Sequence, residues 1–183
     1  MKKSFLFAAV ASLALAACGG AADVPAEADA TTEATEAASN VTDLGGEPTG
    51  PIYTAEIGDT LALSGYDAVS YFIGDGVPVE GSEEFTVKYQ GFDYRFASAE
   101  NAEQFSADPA KYVPAYGGYC AWAIGANDAL APGDPNVYEI VDGTLYLNFN
   151  KQVQEKWDPN KEEFIAQGDK NYPNHDPSEH FKS

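Results

Sequence analysis

The sequence predicts a small α+β domain built from two β-hairpins and short helices. Two observations carry this. Phe85, Val87 and Tyr89 alternate with polar residues, Gln90-Gly91 follows, and Phe92, Tyr94 and Phe96 alternate again. Val137–Val141 and Thr144–Asn148 flank Asp142-Gly143 in the same way. Glycine-containing pairs between alternating runs are strong hairpin signals, because tight hairpin turns need positive φ. A third observation adds the helices: Ser98 stands where an N-cap belongs before Ala99–Phe105, with Ala102 and Phe105 on one face, and Asp108-Pro109 stops that run.

Upstream, the chain changes character twice. Lys2 and Lys3 precede an apolar run from Phe5 to Ala17. The run is short for a membrane span and has the charged-then-apolar layout of a secretory signal, so Met1–Ala17 is expected to be a leader. Leu15-Ala16-Ala17-Cys18 resembles the lipobox of bacterial lipoproteins. The resemblance implies cleavage before Cys18 and lipidation of its thiol. Gly19 in the next position resembles the pattern of lipoproteins sent on to the outer membrane. The expected location is therefore the bacterial cell envelope, lipid-anchored and facing the periplasm, with the membrane as partner through Cys18.

Residues 18–51 then carry Asp23, Glu27, Asp29, Glu33, Glu36, Asp43 and Glu47, no basic residue, and almost no large apolar side chain. Such a stretch buries too little surface to offset its ordering entropy, and it is expected to be a disordered tether. The globular part should run from Ile52 to Pro173, roughly 120 residues, enough for one core. A polar tail, residues 174–183, is expected to be loose and solvated. The formal charge is −19 for the whole chain. A chain this acidic repels phosphate backbones, which excludes nucleic acid as a partner.

Within the domain the elements follow in order. Ala68–Phe72 is apolar and lies between Gly65 and Gly74, which predicts a short buried strand after a turn at Gly65-Tyr66-Asp67. After the first hairpin and its helix comes Tyr112–Trp122, reading Tyr-Val-Pro-Ala-Tyr-Gly-Gly-Tyr-Cys-Ala-Trp. Gly117-Gly118 predicts positive φ or a close approach of another element. After the second hairpin, Asn150 is placed to cap a helix carrying Val153 and Trp157, and Pro159 ends it. A further helix from Asn160 or Lys161 turns Phe164 and Ile165 inward.

Gly65–Phe72, then Tyr89–Ser98, then Phe105, Asp108-Pro109 and Tyr112, follow an order and spacing that resemble YHS domains. Tyr116–Ala121 and Asp142–Asn148 are similar to a longer envelope subgroup of that family, and the likeness extends over roughly residues 60–158. The resemblance implies a small module for copper or other heavy metals. The family carries cysteines in a Phe-Cys-Ser-x-x-Cys arrangement. Here Ala97 and Asn101, or a neighbour of Asn101, hold those positions, so both thiols are absent.

Cys120 is left as the candidate metal ligand, with three readings open: a buried inert thiol, a ligand for copper(I) or another soft metal, or a redox or nucleophilic thiol. The second candidate site is an aromatic-lined pocket for a small molecule built from Tyr66, Asp67, Tyr112, Tyr116, Tyr119 and Trp122. Asp67 reads equally as a turn former. His175 and His180 bracket two acids, with Pro177 between them, and read as part of the solvated tail or as a weak divalent-cation site. The chain has no P-loop, dinucleotide fingerprint, Gly-x-Ser-x-Gly, His-Glu-x-x-His or Cys-x-x-Cys motif. The expectation is a binding module rather than an enzyme.

Overall fold

A computed structural model describes residues 41–182. The leader, Cys18 and the linker up to Asn40 lie outside the described residues. The order is β1 (Thr42–Asp43), β2 (Ser82–Tyr89), β3 (Phe92–Phe96), α1 (Ala99–Ala107), α2 (Pro109–Tyr112), α3 (Ala121–Asn127), β4 (Asp134–Val141), β5 (Thr144–Asn148), α4 (Lys151–Trp157) and α5 (Lys161–Asn171). Single 3-10 turns punctuate it at Ala62–Gly65, Ser70–Phe72, Ala115–Gly118, Asp158–Asn160 and Tyr172–Asn174.

Both hairpins form as the turn chemistry predicts. Tyr89 faces Phe92 across Gln90-Gly91, and Val141 faces Thr144 across Asp142-Gly143. All four turn residues have positive φ, 53° and 84° in the first turn, 50° and 80° in the second. That is the twist-matched two-residue turn. Ser98 accepts from the Asn101 N–H, and Asn150 accepts from the Val153 N–H, so α1 and α4 start at their predicted caps. The α+β class is therefore the observed one.

Two packed clusters replace the single expected core. The first holds Val87, Tyr94, Phe96, Phe105 and Tyr112 with Leu145 and Leu147. The second holds Tyr116, Tyr119, Ile124, Tyr146 and Trp157, with Phe164 and Ile165 of α5 against it. The cause is β5: successive strand residues point to opposite faces, so Leu145 and Leu147 enter one cluster and Tyr146 the other. The Lys161 ammonium, paired with the Glu139 carboxylate, ties α5 to β4.

Three expectations change. Ala68–Phe72 is no strand. Asp67 Oδ1 accepts from the Val69 and Ser70 N–H groups at 2.8 and 3.2 Å and curls the chain into a 3-10 turn. Burial on all sides gave that run its apolar composition. The linker ends before Pro51: Thr42 pairs parallel with Val87, Leu44 donates its N–H to the Lys88 carbonyl and packs on the first cluster. The tail is not loose either, since Phe181 packs against the second cluster and His180 reaches the Thr54 carbonyl.

Candidate functional site

The Tyr112–Trp122 stretch is the joint between the clusters. Tyr116, Gly117 and Gly118 run left-handed at φ 55°, 60° and 86°. A Cβ on Gly117 would stand 2.2 Å from the Pro51 carbonyl oxygen and 2.8 Å from the Tyr172 hydroxyl. Both expectations for the glycine pair, positive φ and close approach, are met at Gly117. Against it lies a strap, residues 49–54. The Tyr53 N–H donates to the Gly117 carbonyl at 2.9 Å, and the Tyr172 hydroxyl donates to the Pro51 carbonyl at 2.8 Å.

Cys120 precedes α3 and is 1% exposed. The Phe149 N–H donates to its sulfur at 3.3 Å, and the thiol lies 3.7 Å from Asn148 Oδ1, which also accepts from the Trp122 N–H at 3.3 Å. Burial pushes the thiol pKa up, opposed by surrounding backbone N–H groups. A thiol so placed is protonated at neutral pH, closed to solvent and a poor nucleophile. Asn148 Nδ2 beside it is buried without a partner, as are the Tyr119 hydroxyl and Trp157 Nε1.

The six residues expected to line one pocket do not converge. Tyr66 and Tyr112 belong with the first cluster, whereas Tyr116, Tyr119 and Trp122 belong with the second. Tyr112 meets Phe72 edge to face at 5.4 Å, and Tyr66 accepts from Asn136 Nδ2 at 3.1 Å. Trp122 lies under the Lys156 ammonium, 5.4 Å from its ring centre. Asp67 is fully buried and serves the fold. Besides Val69 and Ser70, its carboxylate accepts from the Ala97 N–H at 2.9 Å and from Asn101 Nδ2 at 2.6 Å. The resemblance puts the family's cysteines at Ala97 and at Asn101 or a neighbour; here a carboxylate knot of four hydrogen bonds stands at that turn.

A different set of aromatics does converge. A cleft of about 260 Å³ is lined by Tyr89, Tyr94, Tyr116 and Tyr172, by Thr49, Gly50 and Ile52 of the strap, and by Gln90, Ala110 and Val113 among others. Of the expected residues only Tyr116 takes part. Tyr89 and Tyr94 were legible as inward residues of a hairpin, but nothing local points Tyr172 at Pro51, 121 positions earlier. Burial raises the pKa of Tyr94, Tyr116 and Tyr172, with neighbouring phenols adding to it for Tyr94 and the Asp169 carboxylate for Tyr116. At neutral pH these hydroxyls are neutral and act as hydrogen-bond donors and acceptors.

Among the described residues, no group of three or more His, Cys, Asp or Glu side chains could hold a metal ion. His175 and His180 do not share one cation point; the His175 ring nitrogens face separate carboxylates, Asp128 and Glu179.

No curated protein and no solved structure matches the chain. The family model described as YHS domain matches residues 73–116, a narrower span than the motif order suggested. It takes in β2, β3, α1, α2 and the approach to Gly117, including the turn at Ala97 and Asn101. Over that segment, about a quarter of the chain, the protein is similar to the YHS domain family.

Proposed function

We propose that this protein is a lipid-anchored envelope binding module that takes a small uncharged molecule into the tyrosine cleft. The observation that carries the reading is the lining itself: four tyrosines, one glutamine and no charged side chain, in a chain of net charge −19. Aromatic walls with a few polar tips suit a neutral ring compound bearing hydroxyl or carbonyl groups. The anchor rests on the Leu-Ala-Ala-Cys run ending at Cys18 and on the leader before it. The heavy-metal reading suggested by the family has less support, since Cys120 is the one thiol of the domain and is closed to solvent.

The test is ligand-observed NMR on the protein with phenol, indole and a monosaccharide as neutral one- or two-ring probes, repeated with Ala110→Trp. Ala110 is exposed at the cleft rim, so the indole fills the cleft without disturbing a cluster. At least one probe should bind wild type and lose binding in the variant at unchanged thermal stability. Absence of binding by all three, or binding that survives Ala110→Trp, would sink the cleft reading. Protection of Cys120 by copper(I) would move the function to metal. Wild-type protein that is fully soluble and incorporates no palmitate would remove the anchor.

A further inference from the structure

The chain has two histidines, and both lie in the segment His175–Lys182 that folds back over the domain. His175 is 14% exposed by side chain. Its Nδ1 stands 3.0 Å from Glu179 Oε2 and its Nε2 stands 3.2 Å from Asp128 Oδ1. His180 Nε2 stands 3.0 Å from the Thr54 carbonyl, and its Nδ1 stands 3.3 Å from the Phe181 carbonyl. All four partners are oxygens that only accept: two are carbonyls and two are carboxylates without a proton of their own. A neutral imidazole carries one N–H, so each ring would set one lone pair against an oxygen lone pair. The doubly protonated ring donates on both sides.

We infer that His175–Lys182 is a proton-operated clasp, closed when its two imidazoles are protonated and released when they are neutral. The groups facing His175 are Asp128, at the end of α3 in left-handed conformation, and Glu179 of the clasp itself. Glu179 is held more acidic than usual, first by His175 and then by the Asp176 N–H, so it stays ionised as the rings charge. Lys182 lines the same groove of about 410 Å³ and is the one fixed positive charge there. Around His180 the rings are uncharged, Phe181, Tyr53 at 6.5 Å between ring centres, and Tyr119 against Tyr53 at 5.5 Å, while its charged neighbours are Glu179, directly before it in the chain, and Lys182, both lining the same groove. Burial pushes the Tyr119 hydroxyl up to about 12, so it stays neutral throughout.

What the clasp holds is the strap. His180 is bonded to Thr54, Phe181 packs at a tilt against Tyr53 with ring centres 5.8 Å apart, and Tyr172, three residues before the segment, is bonded to Pro51. Release frees the downstream half of the strap from the second cluster and uncovers the Tyr53 and Tyr119 rings. Imidazole changes charge between pH 5 and 8, so envelope acidity is the input such a device reads.

The experiment is hydrogen exchange with mass spectrometry on the full chain, following peptides over residues 50–56 and 174–182 at about pH 5.5 and about pH 8, corrected for intrinsic exchange. Protection in both peptides should fall on the order of tenfold at the higher pH, as charge-assisted bonds are lost. The double variant His175→Gln, His180→Gln should be flat with pH. Asp128→Asn, which keeps both rings, should shrink the fall. Equal wild-type protection at both pH values would overturn the clasp. So would a fall that persists in the double variant, or one left unchanged in Asp128→Asn.

Discussion

Replacing Gly117 by alanine tests the joint on which the domain closes. Two costs add. At φ 60° an L-residue other than glycine loses roughly 1–2 kcal/mol. The new Cβ would also lie 2.2 Å from the Pro51 carbonyl oxygen and 2.9 Å from the Ile52 Cα, both backbone, so no side chain can swing away. Overpacking of this kind costs about 1–3 kcal/mol. The expected loss is therefore about 2–5 kcal/mol, because relief requires lifting the strap and stretching the bonds at Tyr53 and Tyr172. Gly143→Ala is the internal control. It has φ 80° and nothing within 4 Å of its Cβ, so it carries the conformational cost alone, roughly 1–2 kcal/mol. Urea unfolding of both variants, with exchange of the Tyr53 amide as a local readout, separates the two terms. A Gly117→Ala cost no larger than that of Gly143→Ala would refute the argument and show that the strap is not packed against the glycine.

Two more outcomes follow from the buried polar groups. Asp67→Asn should cost about 2–6 kcal/mol in urea unfolding, because an amide accepts on one side only and leaves the two buried donors on the other, Ala97 N–H and Asn101 Nδ2, unpaired at about 1–3 kcal/mol each; a cost under about 1 kcal/mol would mean that the carboxylate is dispensable to the turn. Cys120 should react slowly with thiol reagents in the native protein and quickly once unfolded. Its raised pKa means that native labelling at pH 7 stays below that of a free cysteine and grows only as the solution turns alkaline. Fast native labelling at neutral pH would restore the reactive-thiol reading.

Features written in neighbouring residues were legible in the sequence. Gln90-Gly91 and Asp142-Gly143 set the hairpins, because a two-residue turn depends on local φ alone. Ser98 and Asn150 set the helix starts through bonds to the N–H three residues on. Cys120 could be read as a buried thiol from the tyrosines and glycines around it. Composition did not show where the acidic stretch joins the domain. Thr42 pairs with Val87 through backbone bonds, and those ask nothing of side-chain hydrophobicity.

Only the tertiary structure decided the rest, and the reason is the same in each case. Asp67 reads locally as a turn residue, yet it is a knot because Ala97 and Asn101 arrive from some thirty positions away. One core became two because β5 is buried on both faces, and an apolar run does not say how many faces it hides. The cleft needs Tyr172 beside Pro51, and the histidine clasp needs Asp128 and Thr54 beside a segment that looks like a solvated tail. Pairings at such separations depend on where the whole chain places its ends, and no window of sequence carries that distance.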